Sequence, residues 1–190
     1  AEPLAAFHEV DPRFARSGRG RLMRSATLFE DILKTVTSCN ETWPGTVNMN
    51  AKLCRVFGKK SPSGRHAYPT AARLARAHPA TLRARCGVGY RDVRIVELAR
   101  LFASKKTYPT WIEDPDLADE TLFKRLIGLP GVGPYAAANI MQLLGRYGRL
   151  PCDSETLRHG RNVLGFKGGD RQVLKQVSAH YAPFGAHVFR

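Results

Sequence analysis

The chain has 190 residues, which suits one domain or two closely packed lobes with a sizeable core. Lys and Arg outnumber Asp and Glu 30 to 16, giving a formal net charge of +14. A well-mixed surface stays nearer ~2–8 in magnitude, so nucleic acid ranks ahead of acidic proteins or a membrane surface as the partner.

No apolar run reaches the roughly 18 residues that a membrane helix needs. Residues 1–25 are rich in arginine and lack an apolar segment, so they do not read as a signal peptide. The expected location is the cytoplasm, on the nucleoid, in a prokaryote, or the nucleus or an organelle in a eukaryote. Cysteines stand at 39, 54, 86 and 152. None forms a C-x-x-C pair, and their spacing suits neither zinc nor an iron–sulfur cluster. Reduced thiols and no metal ligated through side chains are expected.

In chain order, residues 1–24 read as a basic loop or arm. Thr27 caps a predicted helix, with Glu30 completing a capping box. Leu28, Phe29, Ile32, Leu33 and Val36 recur at helical spacing, and the helix should end near Cys39 and Asn40. A second helix is predicted from Asn48 to Phe57, closed by Gly58. Lys59 to Tyr68 is a basic loop. Thr70 caps a helix predicted over Ala71–Ala77, which His78-Pro79 should stop.

After a short run, Ala80–Arg85, comes Gly87-Val88-Gly89. A helix follows with Val93, Val96 and Leu101 on one face. Asp119 is expected to cap a helix carrying Leu122, Phe123 and Leu126. A second Gly-x-Gly turn, Gly131-Val132-Gly133, precedes Pro134, which suits a first helical position. That helix should run to about Leu144 and end at Gly145. Residues 154–163 form the next. Strand-like alternation is absent, so the chain reads as all-α.

The string Leu129-Pro130-Gly131-Val132-Gly133-Pro134 carries the most chemistry. A turn between two apolar helices presents main-chain N–H groups at a helix start, a ready site for a phosphate. Gly131, Val132 and Gly133 are therefore the expected phosphate-binding residues, positioning DNA without reading its sequence. An ordinary helix–helix turn also favours glycine, but the full string is more specific. Asp153, in the Pro151-Cys152-Asp153 turn, is by default a helix cap. A capping carboxylate can also face a sugar. Breaking a base–sugar bond develops positive charge on the ring, which a nearby carboxylate stabilises.

These residues together resemble the helix-hairpin-helix DNA glycosylase superfamily. The likeness rests on Leu-Pro-Gly-Val-Gly-Pro-Tyr-Ala-Ala-Ala-Asn at 129–139 with Pro-Cys-Asp-Ser-Glu-Thr at 151–156, and extends over roughly residues 25–190. Within the superfamily the chain is most similar to 8-oxoguanine DNA glycosylases. Ser38-Cys39-Asn40 with the helix through Gly58 resembles their gap-filling loop, and Gly87-Val88-Gly89-Tyr90-Arg91 resembles their wedge loop.

The resemblance implies a two-lobed helical fold with a central cleft. One lobe is expected over 35–148, and the other over 1–34 with 149–190. It implies that Asn40 fills the space of an extruded nucleotide, Tyr90 wedges into the stack, and Arg91 contacts the orphaned base. Asp153 would be catalytic. Tyr135, Asn139 and Phe184 would line the base pocket, and Trp43 either stacks there or packs in the core. Tyr135 stands where related lyases carry a Schiff-base lysine, which implies a monofunctional glycosylase.

No cofactor is expected, beyond a monovalent or divalent cation held at the hairpin by main-chain carbonyls. The partner would be double-stranded DNA with a damaged or mismatched base, and the protein a monomer. A modified purine is the expected substrate. Two alternatives stay open: a glycosylase with lyase activity, and a hairpin module that only binds DNA.

Overall fold

The computed structural model describes residues 5, 8–9, 12–17 and 22–187; the side chains of 13, 14 and 182–187 lie outside that description. The fold is all-α. Among the described residues the nearest approach to a strand is an isolated bridge between Lys60 and His66. The chain divides into two compact units, 24–136 and 1–23 with 137–190. The helix Leu28–Ser38 packs on helices at 43–57 and 92–103, which carries residues 24–34 into the central unit.

In the central unit, α1 is Leu28–Ser38, α2 Trp43–Phe57, α3 Ala71–Leu74, α4 Pro79–Cys86, α5 Asp92–Ala103 and α6 Asp119–Ile127. The Thr27 side chain accepts a hydrogen bond from Glu30 N–H, as a cap should. Glu30 does not close the expected box; its carboxylate pairs with Lys34 at 2.6 Å, one turn on. The α1 stripe is buried as its spacing predicts: Leu28, Phe29, Ile32, Leu33 and Val36 are all at most 6% exposed. Each such side chain contributes about 1.5–3 kcal/mol on burial.

Several boundaries and faces differ from expectation. α2 begins at Trp43, five residues earlier than predicted, because Thr42 caps it and Pro44 occupies the first turn. α3 stops at Leu74, three residues short, although Thr70 caps it as expected. The short run before Gly87 is the helix α4, opened by Pro79 under a His78 cap. Ala118, not Asp119, holds the cap position of α6, so Asp119 is the first helical residue. On α5 the buried face is Ile95, Val96, Leu98, Ala99 and Phe102, while Val93 is 47% exposed. Of the expected Val93–Val96–Leu101 face only Val96 is buried, and Ile95 and Leu98 were not in it.

The central core gathers Leu53, Leu74, Leu82, Ile95, Leu98, Ile112, Leu122 and Leu126, each essentially inaccessible. Phe29, Phe102 and Tyr108 form an aromatic chain with centroid spacings of 5.5 and 5.4 Å. Asp31 is buried but satisfied: it accepts from Ser25 N–H at 2.7 Å and from Arg24 at 3.2 Å.

α7 runs Pro134–Leu143, close to its predicted span, with Gly145 just beyond it at φ 81°. The unit of 137–190 continues with α8, Ser154–Asn162, and α9, Asp170–His187. Gly160 lets these two approach. A Cβ there would lie 2.6 Å from Val177 and 2.7 Å from Val173, both buried. Helix propensity disfavours glycine inside α8; here close packing overrides it.

Candidate nucleic-acid interface and catalytic turn

The last residues of α1 and the start of α2 form a tight corner, and a polar network fixes it. Asn50 on α2 donates to the Thr37 hydroxyl at 2.8 Å and to the Thr46 carbonyl at 2.9 Å. Its side-chain carbonyl accepts from the Tyr68 hydroxyl at 2.8 Å. Burial pushes the Tyr68 phenol well above its usual range, so it stays neutral and donates. This network holds the end of α1 three residues before Asn40. Asn40 itself takes φ 51°, the left-handed region that asparagine tolerates better than most residues.

Fifty residues later, the Gly87-Val88-Gly89 turn brings Tyr90 and Arg91 to this corner. Gly87 and Gly89 have φ 69° and 56°, and Val88 between them is buried. The Asn40 amide donates to the Tyr90 hydroxyl at 3.3 Å. Tyr90 is 52% exposed. The three residues assigned to the gap, the wedge and the orphaned base thus assemble at one place on the central unit.

Arg91 is arranged otherwise than expected. It is 4% exposed, and its guanidinium turns inward rather than toward solvent. It donates to the carbonyls of Cys39 and Asn40, and to Val88 O at 3.4 Å. Its guanidinium carbon lies 4.6 Å from the Tyr90 ring centre. Burial pushes the neighbouring Cys39 thiol up, with the Arg91 charge opposing.

The hairpin turn between α6 and α7 has Gly131 at φ 81°. A Cβ on Gly131 would meet Val36 Cγ1 at 3.1 Å and Arg94 Cβ at 3.5 Å. Glycine is therefore required twice over, by conformation and by closeness. Gly133 faces open space, with nothing within 4 Å of an added Cβ. Val132 departs from its expected role. Its N–H closes the turn on Leu129 O at 3.1 Å and its side chain is buried, so it anchors the turn rather than offering a donor. The first N–H groups of α7 have no acceptor within the helix, which leaves that end suited to an anion.

Sequence reasoning missed Arg94. This exposed residue lies against Gly131, and its guanidinium stands 5.6 Å from the Tyr90 ring centre. It links the hairpin turn to the wedge. The signal was its place three residues after Arg91, on one face of a short helical stretch. The Asn50 network was missed too, because its members are 13 and 18 residues apart.

In the other unit, Asp153 caps α8 with a reciprocal box. Its Oδ1 accepts from Thr156 N–H at 2.9 Å, and Asp153 N–H donates to the Thr156 hydroxyl at 3.2 Å. Cys152 approaches Ser178 of α9 with 3.7 Å between Sγ and Oγ. Glu155 and Arg158, near Asp153, pair with each other at 2.6 Å on the surface. His159 is structural, 2.7 Å from the Tyr181 hydroxyl.

Tyr135 and Asn139 stand one turn apart on α7, both half-buried. Phe184 lies in the backbone of α9, but its side chain is outside the described ones. Trp43 is 75% exposed at the first position of α2, which rules out the core alternative. Among the described residues, no cluster of side chains could hold a metal ion, and no helix is long and apolar enough to cross a membrane.

The fold is shared with solved structures of DNA glycosylases. Three solved structures show it. The 8-oxoguanine glycosylase/lyase of Clostridium acetobutylicum matches 99% of this chain and 68% of its own, with a TM-score of 0.74 and 18% identity. The 3-methyladenine DNA glycosylase of Archaeoglobus fulgidus matches 98% of this chain and 65% of its own, at 0.71 and 21%. That of Schizosaccharomyces pombe, solved with abasic DNA, matches 96% and 92%, at 0.66 and 21%. No protein-family model matches the sequence, and no curated protein matches it by sequence. The likeness is thus one of fold.

Proposed function

We propose that this protein is a DNA glycosylase of base excision repair. It would extrude a damaged base, a modified purine by preference, from duplex DNA and hydrolyse the base–sugar bond. The observation that carries the reading is the convergence of Asn40, Tyr90 and Arg91 on one corner of a fold otherwise found in such enzymes. A polar plug and an aromatic wedge suit the gap that base extrusion opens, offsetting the few kcal/mol lost to unstacking. The high positive charge supplies salt-sensitive affinity for the phosphate backbone.

Asp153 is the catalytic group in this reading. The C1′–N bond breaks with its electron pair leaving on the base, and water forms the new C1′–O bond. Asp153 stabilises the oxocarbenium-like sugar and accepts the proton of the oriented water. The Oδ1 atom serves the helix cap; Oδ2 is the atom assigned to the sugar. Tyr135 and Asn139 would line the base pocket. Tyrosine forms no imine, so the chemistry would stop at an uncut abasic site.

The test is a panel of duplexes, each with one altered base, treated with hot alkali to reveal abasic sites. Base release from at least one duplex, abolished by Asp153→Asn with DNA binding retained, is the expected result. No release from any duplex, with binding intact, would leave a protein that only grips DNA. Borohydride trapping of an efficient covalent adduct would overturn the monofunctional assignment, because it requires a Schiff-base lysine.

A further inference from the structure

Tyr90 carries two guanidinium groups, and they are not equivalent. Arg94 is exposed above one side of the ring. Arg91 is buried, and its described hydrogen-bond acceptors are all main-chain carbonyls, those of Cys39, Asn40 and Val88. Its Nε is buried without a hydrogen-bond partner. Burying a charged group in this way is costly unless its donors are used, so the carbonyl contacts need a reason.

The reason is the backbone they hold. Asn40 sits at φ 51°, a conformation that a non-glycine residue keeps only when its surroundings fix it. One Arg91 nitrogen bridges two successive carbonyls and so fixes the Cys39–Asn40 peptide. The Asn40 side chain then meets the Tyr90 hydroxyl, and the Tyr90 ring covers the Arg91 guanidinium. The loop of contacts closes on itself without DNA.

We propose that Arg91 is a positioning residue that assembles the Asn40 plug against the Tyr90 wedge before the duplex arrives, and that it does not read the opposite base. The proposal deepens the glycosylase reading and rests on it for the role of the plug. A positioning arginine performs the same task whichever base lies opposite. A base-reading arginine makes hydrogen bonds that one base offers and another does not.

Two variants, Arg91→Met and Arg91→Lys, separate these roles. In the free protein, amide hydrogen exchange over residues 39–42 should speed up about tenfold or more in Arg91→Met, as expected for losing a charge-assisted hydrogen bond. Arg91→Lys, which retains a donor, should restore part of the protection and guards against a variant that fails to fold. Unchanged exchange in both variants overturns the proposal.

The second measurement uses duplexes with an abasic site opposite each of the four bases and 2-aminopurine beside the gap. Arg91→Met should lower the plug-insertion fluorescence by one common factor in all four. A loss confined to one opposite base overturns the proposal and makes Arg91 a base reader. Absence of base release by the wild type, with the exchange result as expected, would remove the glycosylase reading alone.

Discussion

The two units build their candidate functional residues in opposite ways. In the central unit, the Asn40 corner depends on residues far apart in sequence: Thr37, Asn50 and Tyr68 beneath it, and Tyr90 and Arg91 against it. In the unit of 137–190, Asp153 is held by its own neighbour three residues on. A grip on a large ligand needs several chain segments brought to one surface. A single carboxylate needs only a fixed direction, which a capping box supplies cheaply. The first device fails with the tertiary fold; the second survives as long as one helix does.

The largest effect that would break this comparison lies at Asp153. Asparagine also caps helices well, so Asp153→Asn should leave the thermal midpoint nearly unchanged. Base release should nevertheless fall by about 10²–10³, the scale of removing one electrostatic stabiliser, in single-turnover assays. A large drop in midpoint would show that the cap depends on the charge itself.

Next comes Asn50→Ala, which strands the half-buried Tyr68 hydroxyl and removes the donor to the Thr37 hydroxyl. It should cost about 1–3 kcal/mol in chemical denaturation and weaken plug insertion as well. Stability lost with insertion intact would separate the network from the corner. Gly131→Ala follows, at about 1–2 kcal/mol for a left-handed alanine, with a weaker grip on duplex DNA in salt titrations. An equal weakening by Val132→Ala would argue that side-chain packing, rather than the turn conformation, sets that grip.

The smallest effect is a pH dependence. The hydrogen bond from Arg83 holds the Asp92 carboxyl, at the start of α5, below the usual carboxylate range. A carboxyl lowered by folding stabilises the protein above its unfolded pKa of about 3.9. That contribution is lost as pH falls through the folded value. Arg83→Met should therefore be less stable than wild type at neutral pH, with the gap narrowing in acid, as followed by urea denaturation at pH 7 and pH 3. A gap that stays constant would assign the loss to packing of the arginine stem.

Much of this molecule was legible in sequence where the signal is local. The Thr27 cap, the α1 stripe, the glycines of the hairpin and the Asp153 cap each follow from residues within one or two turns. The start of α2 lies five residues before the expected Asn48, and Pro44 in its first turn is compatible with a helix. The inward course of Arg91 was not legible. Composition marks an arginine as a surface charge, and only the meeting of two distant loops supplies the carbonyls that take it in.

If the proposed function holds, the ready-made contact between Asn40 and Tyr90 would also bear on how quickly a genome can be searched. A protein sliding along DNA interrogates each base pair briefly. A probe that had to fold up at every step would spend conformational entropy each time. In the proposed function, one carried rigidly on a helical scaffold would spend none, so undamaged pairs would be passed over rapidly and only a weakened pair would yield to the pressure of the ring.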